Sequence, residues 1–163
     1  MEQIAVTRFN EETWKENYIW KMSRQFTGSI YNSPTKISNK ILPNNILFIL
    51  EMNNSLNKIM GIGLIRNYLN LQKKIKIYKD DNYNRFTYKS KYRLDIKDIS
   101  NKDIKIIEVL EKLLFKGPKH MKRGHGIQLI SDWIQYNKVF NFSKFIKELF
   151  IKKYRKDNID LFN

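Results

Sequence analysis

The chain has 163 residues, carries a formal net charge of +15 and contains no cysteine. The lack of cysteine excludes disulfides, thiolate catalysis and cysteine-based zinc sites, and two histidines argue against a histidine-rich metal site. With 42% hydrophobic and 13% aromatic residues, the composition excludes a disordered chain and predicts one folded domain with a sizeable core. We expect no cofactor.

The excess of 31 Lys and Arg over 16 Asp and Glu favours a polyanionic partner. Nucleic acid, RNA or DNA, is the first candidate, and an anionic membrane surface is the second. No apolar span or signal-peptide pattern is visible, so we expect an intracellular protein of the cytoplasm or nucleus without a transmembrane segment. The abundance of Lys, Asn and Ile also fits an AT-rich genome, such as that of a large DNA virus, and part of the charge can be a codon effect.

The N-terminal segment predicts a short strand followed by a helix. Residues 3–8 form the strand, and Asn10 is placed to cap a helix with an acidic first turn, which suits the helix dipole. Trp14 and Tyr18 lie one turn apart on this helix, and we expect both in the core. In the polar segment that follows, Tyr31 is either packed beneath the loop or a stacking platform.

The next segment predicts a central hairpin. Residues 46–52 are almost all apolar, which is typical of a strand buried on both faces, and residues 58–66 form the returning strand. Gly61 and Gly63 fall on one face of it, where glycines leave room for a bulge, a barrel bend or another group. We favour barrel curvature over a phosphate-binding loop, because no helix signal or Walker-type lysine follows.

The second half alternates strands and helices. Residues 73–78 predict an exposed or edge strand, the loop after them carries Tyr83, and residues 85–96 predict one or two strands. Residues 102–115 predict an amphipathic helix. This order indicates an α+β fold with a curved, mostly antiparallel sheet or partial barrel, flanked by helices.

Residues 116–126 combine three glycines and a proline with basic side chains. Such a loop presents backbone amides and cations together to phosphate oxygens, although a solvated connection is the alternative reading. The candidate contacts to a nucleic-acid backbone are Lys116, Lys119, His120, Lys122, Arg123 and His125.

The C-terminal part predicts two more helices. Ser131 is placed to cap a helix that contains Trp133, and residues 141–154 predict a basic amphipathic helix. The latter can pack on the domain, lie on a membrane or bind a partner, and packing is the favoured reading.

Four stretches resemble the PUA-like superfamily, with the nearest likeness to YTH and EVE domains. The first stretch is an opening strand and helix (6–17), and the second is an aromatic residue followed by small polar residues (29–42). The third is a hairpin with a glycine-bearing second strand (46–65), and the fourth is a late strand with a helix and the basic loop (92–130). The resemblance implies a PUA-like nucleic-acid-binding domain over residues 1–135, with residues 136–163 as a helical extension packed on it.

The resemblance also implies site residues. Tyr31 falls where the family places a tryptophan of its aromatic cage for N6-methyladenosine, and Lys122 and Arg123 fall near the family's basic contact to RNA phosphates. In the region of the second cage tryptophan this chain offers tyrosines and a phenylalanine instead: Tyr78, Tyr83 and Phe86. The candidate base pocket comprises Ser29, Tyr31, Asn32, Trp14 and Tyr83.

The expected function is therefore a non-enzymatic RNA reader that holds a base, modified or not, in an aromatic pocket and the phosphate backbone on the basic loop. One alternative is a basic genome-packaging protein without base preference. Another is a nuclease that uses His120 or His125 as general base, although no carboxylate constellation accompanies these histidines.

Overall fold

A computed structural model describes residues 2–155 and 161–162 of the chain. Its helices and strands follow one another in this order: β1 (Gln3–Phe9), α1 (Glu11–Ser23), β2 (Ser29–Ser33), β3 (Ile46–Asn53), β4 (Lys58–Arg66), β5 (Phe86–Ser90), β6 (Tyr92–Asp95), α2 (Asn101–Phe115), β7 (Gln128–Leu129), α3 (Asp132–Gln135) and α4 (Phe142–Tyr154). Short 3-10 turns precede β5 and follow β6.

Five strands form a mixed sheet in the order β6-β4-β3-β1-β7, and β2 pairs with β5 in a separate two-stranded sheet. The neighbours β1 and β3 run parallel, whereas all other neighbouring pairs run antiparallel. The predicted α+β class is confirmed. Over the described residues, neither sheet closes into a barrel.

Strand β3 lies at the centre of the large sheet, and every one of its residues is buried. Because side chains alternate along a strand, Phe48 and Leu50 join a core with α2 and α4 on one face. Leu47 and Ile49 join a second core with β2 and β5 on the other. The prediction of a strand buried on both faces is confirmed, as is the hairpin with β4.

The glycine pair of β4 accommodates neighbouring side chains. A Cβ at Gly61 would overlap the Arg93 guanidinium, and a Cβ at Gly63 would overlap the Tyr31 hydroxyl. The pairing register of β3 and β4 also shifts between Leu50 and Met52, as at a β-bulge. Two of the roles that the sequence left open for these glycines, room for another group and a bulge, are therefore found here.

Helix α1 starts as predicted, with Asn10 as its cap in a reciprocal capping box. Its buried residues are Asn17 and Trp20, however, whereas Tyr18 is 55% exposed and Trp14 is half-buried. The placement of Tyr18 in the core is wrong. The helix lacks a continuous apolar stripe, so tertiary contacts decide its inner face.

Residues 73–78 do not form the predicted strand. Instead, the backbone N–H groups of Ile77 and Tyr78 donate to Asn84 Oδ1 at 3.1 and 3.0 Å, and Asn84 Nδ2 donates to Tyr78 O at 2.7 Å. One buried asparagine side chain thus supplies the hydrogen bonds that a neighbouring strand would have given.

The two long C-terminal helices form as predicted. Ser100 caps α2 and Asn141 caps α4 through their side chains, whereas Ser131 makes no side-chain cap at α3. Helix α4 buries Ile146 and Phe150 completely, and the Phe150 ring stacks on Phe48 of β3 with centroids 5.5 Å apart. The favoured reading of α4, packing on the domain, is confirmed.

Candidate functional site

A cleft of about 210 Å³ opens where β1 ends, α1 begins and the basic loop crosses. We call it the loop cleft. Its lining includes polar side chains of β1, the α1 cap and the β3–β4 turn, one tyrosine before β5 and one histidine of the basic loop: Arg8, Asn10, Asn54, Tyr83 and His125. Among the described residues that line it, none is acidic, so the cleft favours an anionic or polar ligand over a cation.

Arg8 and Asn54, which both line this cleft, each have one buried side-chain atom without a hydrogen-bond partner among the described residues. Arg8 Nε donates to Met121 O at 2.6 Å and Nη2 donates to Gln128 Oε1 at 2.7 Å, while burial lowers the pKa of Arg8 from its ordinary value. Asn54 Nδ2 donates to Lys122 O at 2.8 Å. Among the described residues, Arg8 Nη1 and Asn54 Oδ1 are the buried side-chain polar atoms without a hydrogen-bond partner.

An unpaired buried polar atom costs about 1–3 kcal/mol, so native proteins usually pair such atoms. Here one unpaired donor and one unpaired acceptor belong to residues that line the same cleft. A ligand that offers one acceptor and one donor would satisfy both atoms. This pair of unpaired atoms is the strongest structural sign of a binding site in the described part of the chain.

The basic loop is fastened to the domain rather than free in solvent. Met121 N donates to Leu114 O at 2.7 Å, and the Asn54 amide holds the backbone of Lys122. Gly126 adopts φ +74°, and a Cβ there would lie 2.7 Å from Thr35 Oγ1, so glycine is needed at this position. The loop therefore has a defined position at the edge of the cleft.

The six predicted backbone contacts divide into three groups. His125 lines the loop cleft. Lys119, His120 and Arg123 line a neighbouring open depression, together with Arg8 and the exposed Trp133. Neither lining includes Lys116 or Lys122.

The predicted base-pocket residues are only partly brought together. Tyr31, Asn32 and Tyr83 contribute to the lining of the loop cleft. Trp14 instead lines a separate cavity beneath α1, and its ring packs edge-on against Phe9 at 5.2 Å. Ser29 is fully buried and donates to Tyr92 O at 2.7 Å, so its hydroxyl is used inside the fold.

Tyr31 is packed under the loop and does not form an open platform. Its side chain is 2% exposed, and its hydroxyl donates to Glu51 Oε1 at 2.8 Å. Burial, and then the charge of Glu51, raises the pKa of Tyr31. Tyr83, which is 41% exposed, is the aromatic residue of the cleft that has an accessible face, while Tyr78 is buried and packs edge-on against it.

A buried ion-pair network lies beyond Tyr31, beneath α1. Glu51 accepts from Arg93 Nε at 2.9 Å, and Arg93 Nη1 donates to Asp95 at 3.1 Å. These residues line a cavity of about 480 Å³ together with Lys21. Burial, and then the nearby charge of Arg93, lowers the pKa of Lys21 to about 8.

Sequence reasoning missed Arg8, Asn54 and the Glu51–Arg93 pair. Glu51 gave a signal, because it is the one charged residue in the apolar run of β3, and a charge in a buried strand needs a partner. Arg8 and Asn54 gave none, because an arginine at a strand end and an asparagine in a turn are ordinary residues there.

No group of three or more His, Asp or Glu residues in the described part of the chain is arranged to hold a metal ion. The helices found there are also too short or too polar to cross a bilayer. No protein family model, curated protein or solved structure matches this chain.

Proposed function

We propose that this protein is a non-enzymatic binder of single-stranded RNA that holds one nucleotide in the loop cleft and the phosphate backbone on the basic loop. The observation that carries the proposal is that Arg8, with an unpaired donor, and Asn54, with an unpaired acceptor, line the same cleft, whose described lining residues include no acid. A nucleotide offers what both atoms lack: phosphate oxygens for the guanidinium and a base amino group for the amide oxygen.

The phosphate end of the nucleotide belongs at Arg8. A guanidinium is always charged and binds phosphate through directed hydrogen bonds, and two of the three nitrogens of Arg8 are already fixed by the protein. The third nitrogen is therefore held in place without further ordering, which keeps the entropic cost of binding low.

The base end belongs between Tyr83 and Asn54. Stacking on an aromatic face stabilises a bound base by about 1–3 kcal/mol and tolerates any base. The Asn54 oxygen adds selectivity, because adenine, cytosine and guanine carry an exocyclic amino group and uracil does not. We expect the cleft to favour a base with an amino group over uracil.

A methylated adenine is the first modified base to test, because of the resemblance to YTH domains. In the described chain, Tyr83 is the exposed aromatic residue that lines the cleft, whereas Tyr31 and Tyr78 are buried. A cage around a methyl group needs more than one aromatic face. The proposal therefore concerns the binding of a base and a phosphate. A preference for N6-methyladenosine over adenosine is an additional expectation, which the same titration tests.

The test is a binding titration with short RNA oligonucleotides that contain adenosine, N6-methyladenosine or only uridine, near physiological salt. We expect Tyr83→Ala to weaken binding of the adenosine oligonucleotide about 5- to 150-fold, the equivalent of one lost stacking contact. Tyr18→Ala is the matched control, because Tyr18 is an exposed tyrosine that lines the other cavity and should leave affinity unchanged.

Two results would overturn the proposal. Equal, strongly salt-dependent binding of all oligonucleotides by wild type and Tyr83→Ala would indicate a charge-driven packaging protein without a base pocket. Cleavage of labelled RNA by wild type but not by His120→Ala or His125→Ala would indicate a nuclease.

A further inference from the structure

The open depression beside the loop cleft has a volume of about 490 Å³. We call it the tryptophan shelf, after the aromatic residue Trp133 in its lining. Its basic lining residues are Arg8, Lys119, His120 and Arg123. Arg8 lines both the shelf and the loop cleft. The two sites are therefore adjacent and share Arg8 as a lining residue.

Trp133 has an accessible aromatic face in a basic setting. Its side chain is 42% exposed, and Lys119 Nζ lies 5.8 Å from the ring centroid. None of the described residues that line the shelf is acidic. An exposed indole surrounded by cations combines the two elements of single-strand recognition, a stacking face and an attraction for phosphate.

The helix that carries Trp133 is anchored to the rest of the domain. Trp133 lies on the short helix α3, whose next two residues, Ile134 and Gln135, are buried. Gln135 Oε1 accepts a hydrogen bond from Ile4 N at 2.7 Å, which ties α3 to β1, the strand that carries Arg8. Because Ile134 supplies the core contact of α3, the exposed indole is available for a ligand.

We infer that the tryptophan shelf binds a second nucleotide of the same strand, with its base stacked on Trp133 and the linking phosphate at Arg8. This inference rests on the proposed function, since it extends a strand whose first nucleotide occupies the loop cleft. The site would then require at least a dinucleotide for full affinity. It would also select single strands, because bases paired in a duplex cannot separate onto two platforms.

The test compares adenosine 5′-monophosphate with the dinucleotide ApA carrying a 5′-phosphate, in NMR titrations of wild type, Trp133→Ala and Trp133→Phe. We expect Trp133→Ala to weaken dinucleotide binding about 5- to 150-fold. The affinity of the mononucleotide, followed at the Gly124 and Gly126 amides of the cleft, should change less than about twofold. Trp133→Phe keeps an aromatic face and should restore most of the dinucleotide affinity.

Val139→Ala is the matched control, because Val139 is 94% exposed in the segment after α3 and lines neither site. The shelf is overturned if Trp133→Ala weakens neither ligand, or weakens both equally while Tyr83→Ala still weakens binding at the cleft. If wild type binds neither ligand at millimolar concentration, the proposed function fails and the shelf fails with it. An indole N–H signal of Trp133 that moves with the dinucleotide and not with the mononucleotide supports the shelf.

Discussion

Two arginines of this protein, the half-buried Arg8 and the buried Arg93, differ in how completely their nitrogens are paired. All three nitrogens of Arg93 donate to carboxylates, those of Glu51 and Asp95. Burial lowers the pKa of Arg93, but the contacts with Glu51, Tyr31 and Asp95 together outweigh burial and the net shift is upward. Arg8 has no carboxylate partner, and its Nη1 has no partner at all within the described residues.

The cavities around the two arginines differ in the same way. The cavity beneath α1 is larger, about 480 Å³ against 210 Å³ for the loop cleft. It contains Glu51, Asp95 and Asp98 beside its cations, so its charges are largely compensated from within. The loop cleft has the cation of Arg8 and no acid among its described lining residues. Uncompensated polarity, rather than volume, is therefore our reason for proposing the loop cleft as the ligand site.

The largest expected effect comes from breaking the paired arginine. Arg93→Met leaves Glu51 buried without its cation, and removal of one partner of a buried pair typically costs about 3–5 kcal/mol. Urea denaturation measures the free energy of unfolding. Lys74→Met is the control, because Lys74 pairs with Asp81 at 2.6 Å while the two side chains are 62% and 59% exposed, and such pairs contribute at most about 1 kcal/mol. Equal losses in the two variants would contradict the structural role of Arg93.

Arg8→Met should show the opposite profile, a small loss of stability and a large loss of binding. Hydrogen bonds to charged groups contribute about 1.5–3 kcal/mol, so RNA affinity should fall about 10- to 150-fold, and the slope of log affinity against log salt should shrink by about one. The free energy of unfolding should fall by much less than in Arg93→Met. The substitution also removes Arg8 Nη1, a buried nitrogen without a partner among the described residues, and the removal of its desolvation cost offsets part of the lost hydrogen bonding.

The matched control for Arg8→Met is Lys15→Met, an exposed cation of α1 outside both cavities. If Arg8→Met left affinity and salt slope at their wild-type values, Arg8 would be a structural residue like Arg93.

The smallest effect concerns Lys21, a third partly buried cation, which has no ion pair within the described residues. Its pKa is lowered to about 8 in the folded protein, from an ordinary value of 10.5. The unfolded chain therefore binds the proton more tightly, so stability is lowest below pH 8 and rises as the pH increases from 8 towards 10.5. Lys21→Met should raise the urea midpoint at pH 7 and flatten its rise between pH 8 and 10.

Lys15→Met serves again as the control and should keep the wild-type pH dependence of the urea midpoint. A Lys21→Met variant with the same rise between pH 8 and 10 would show that another group causes it.

Local sequence was enough to predict the elements whose signals are periodic or lie at their ends. The apolar run of β3, its hairpin with β4, the Asn10 cap of α1 and helices α2 and α4 are found as expected. These signals depend on neighbours within a few residues, through side-chain alternation, helical spacing and capping hydrogen bonds. The α+β class follows from their order.

Tertiary structure decided the candidate site. Residues 73–78 alternate like a strand, but the Asn84 side chain takes their hydrogen bonds. Tyr31 stands among small polar residues in the sequence, but in the fold its ring is buried and its hydroxyl donates a hydrogen bond to Glu51. Arg8 meets Met121 across 113 residues, and the donor left over from that contact exists only once the chain has folded. Local patterns predict most of the elements, whereas long-range packing decides which of them form and which polar atoms are paired.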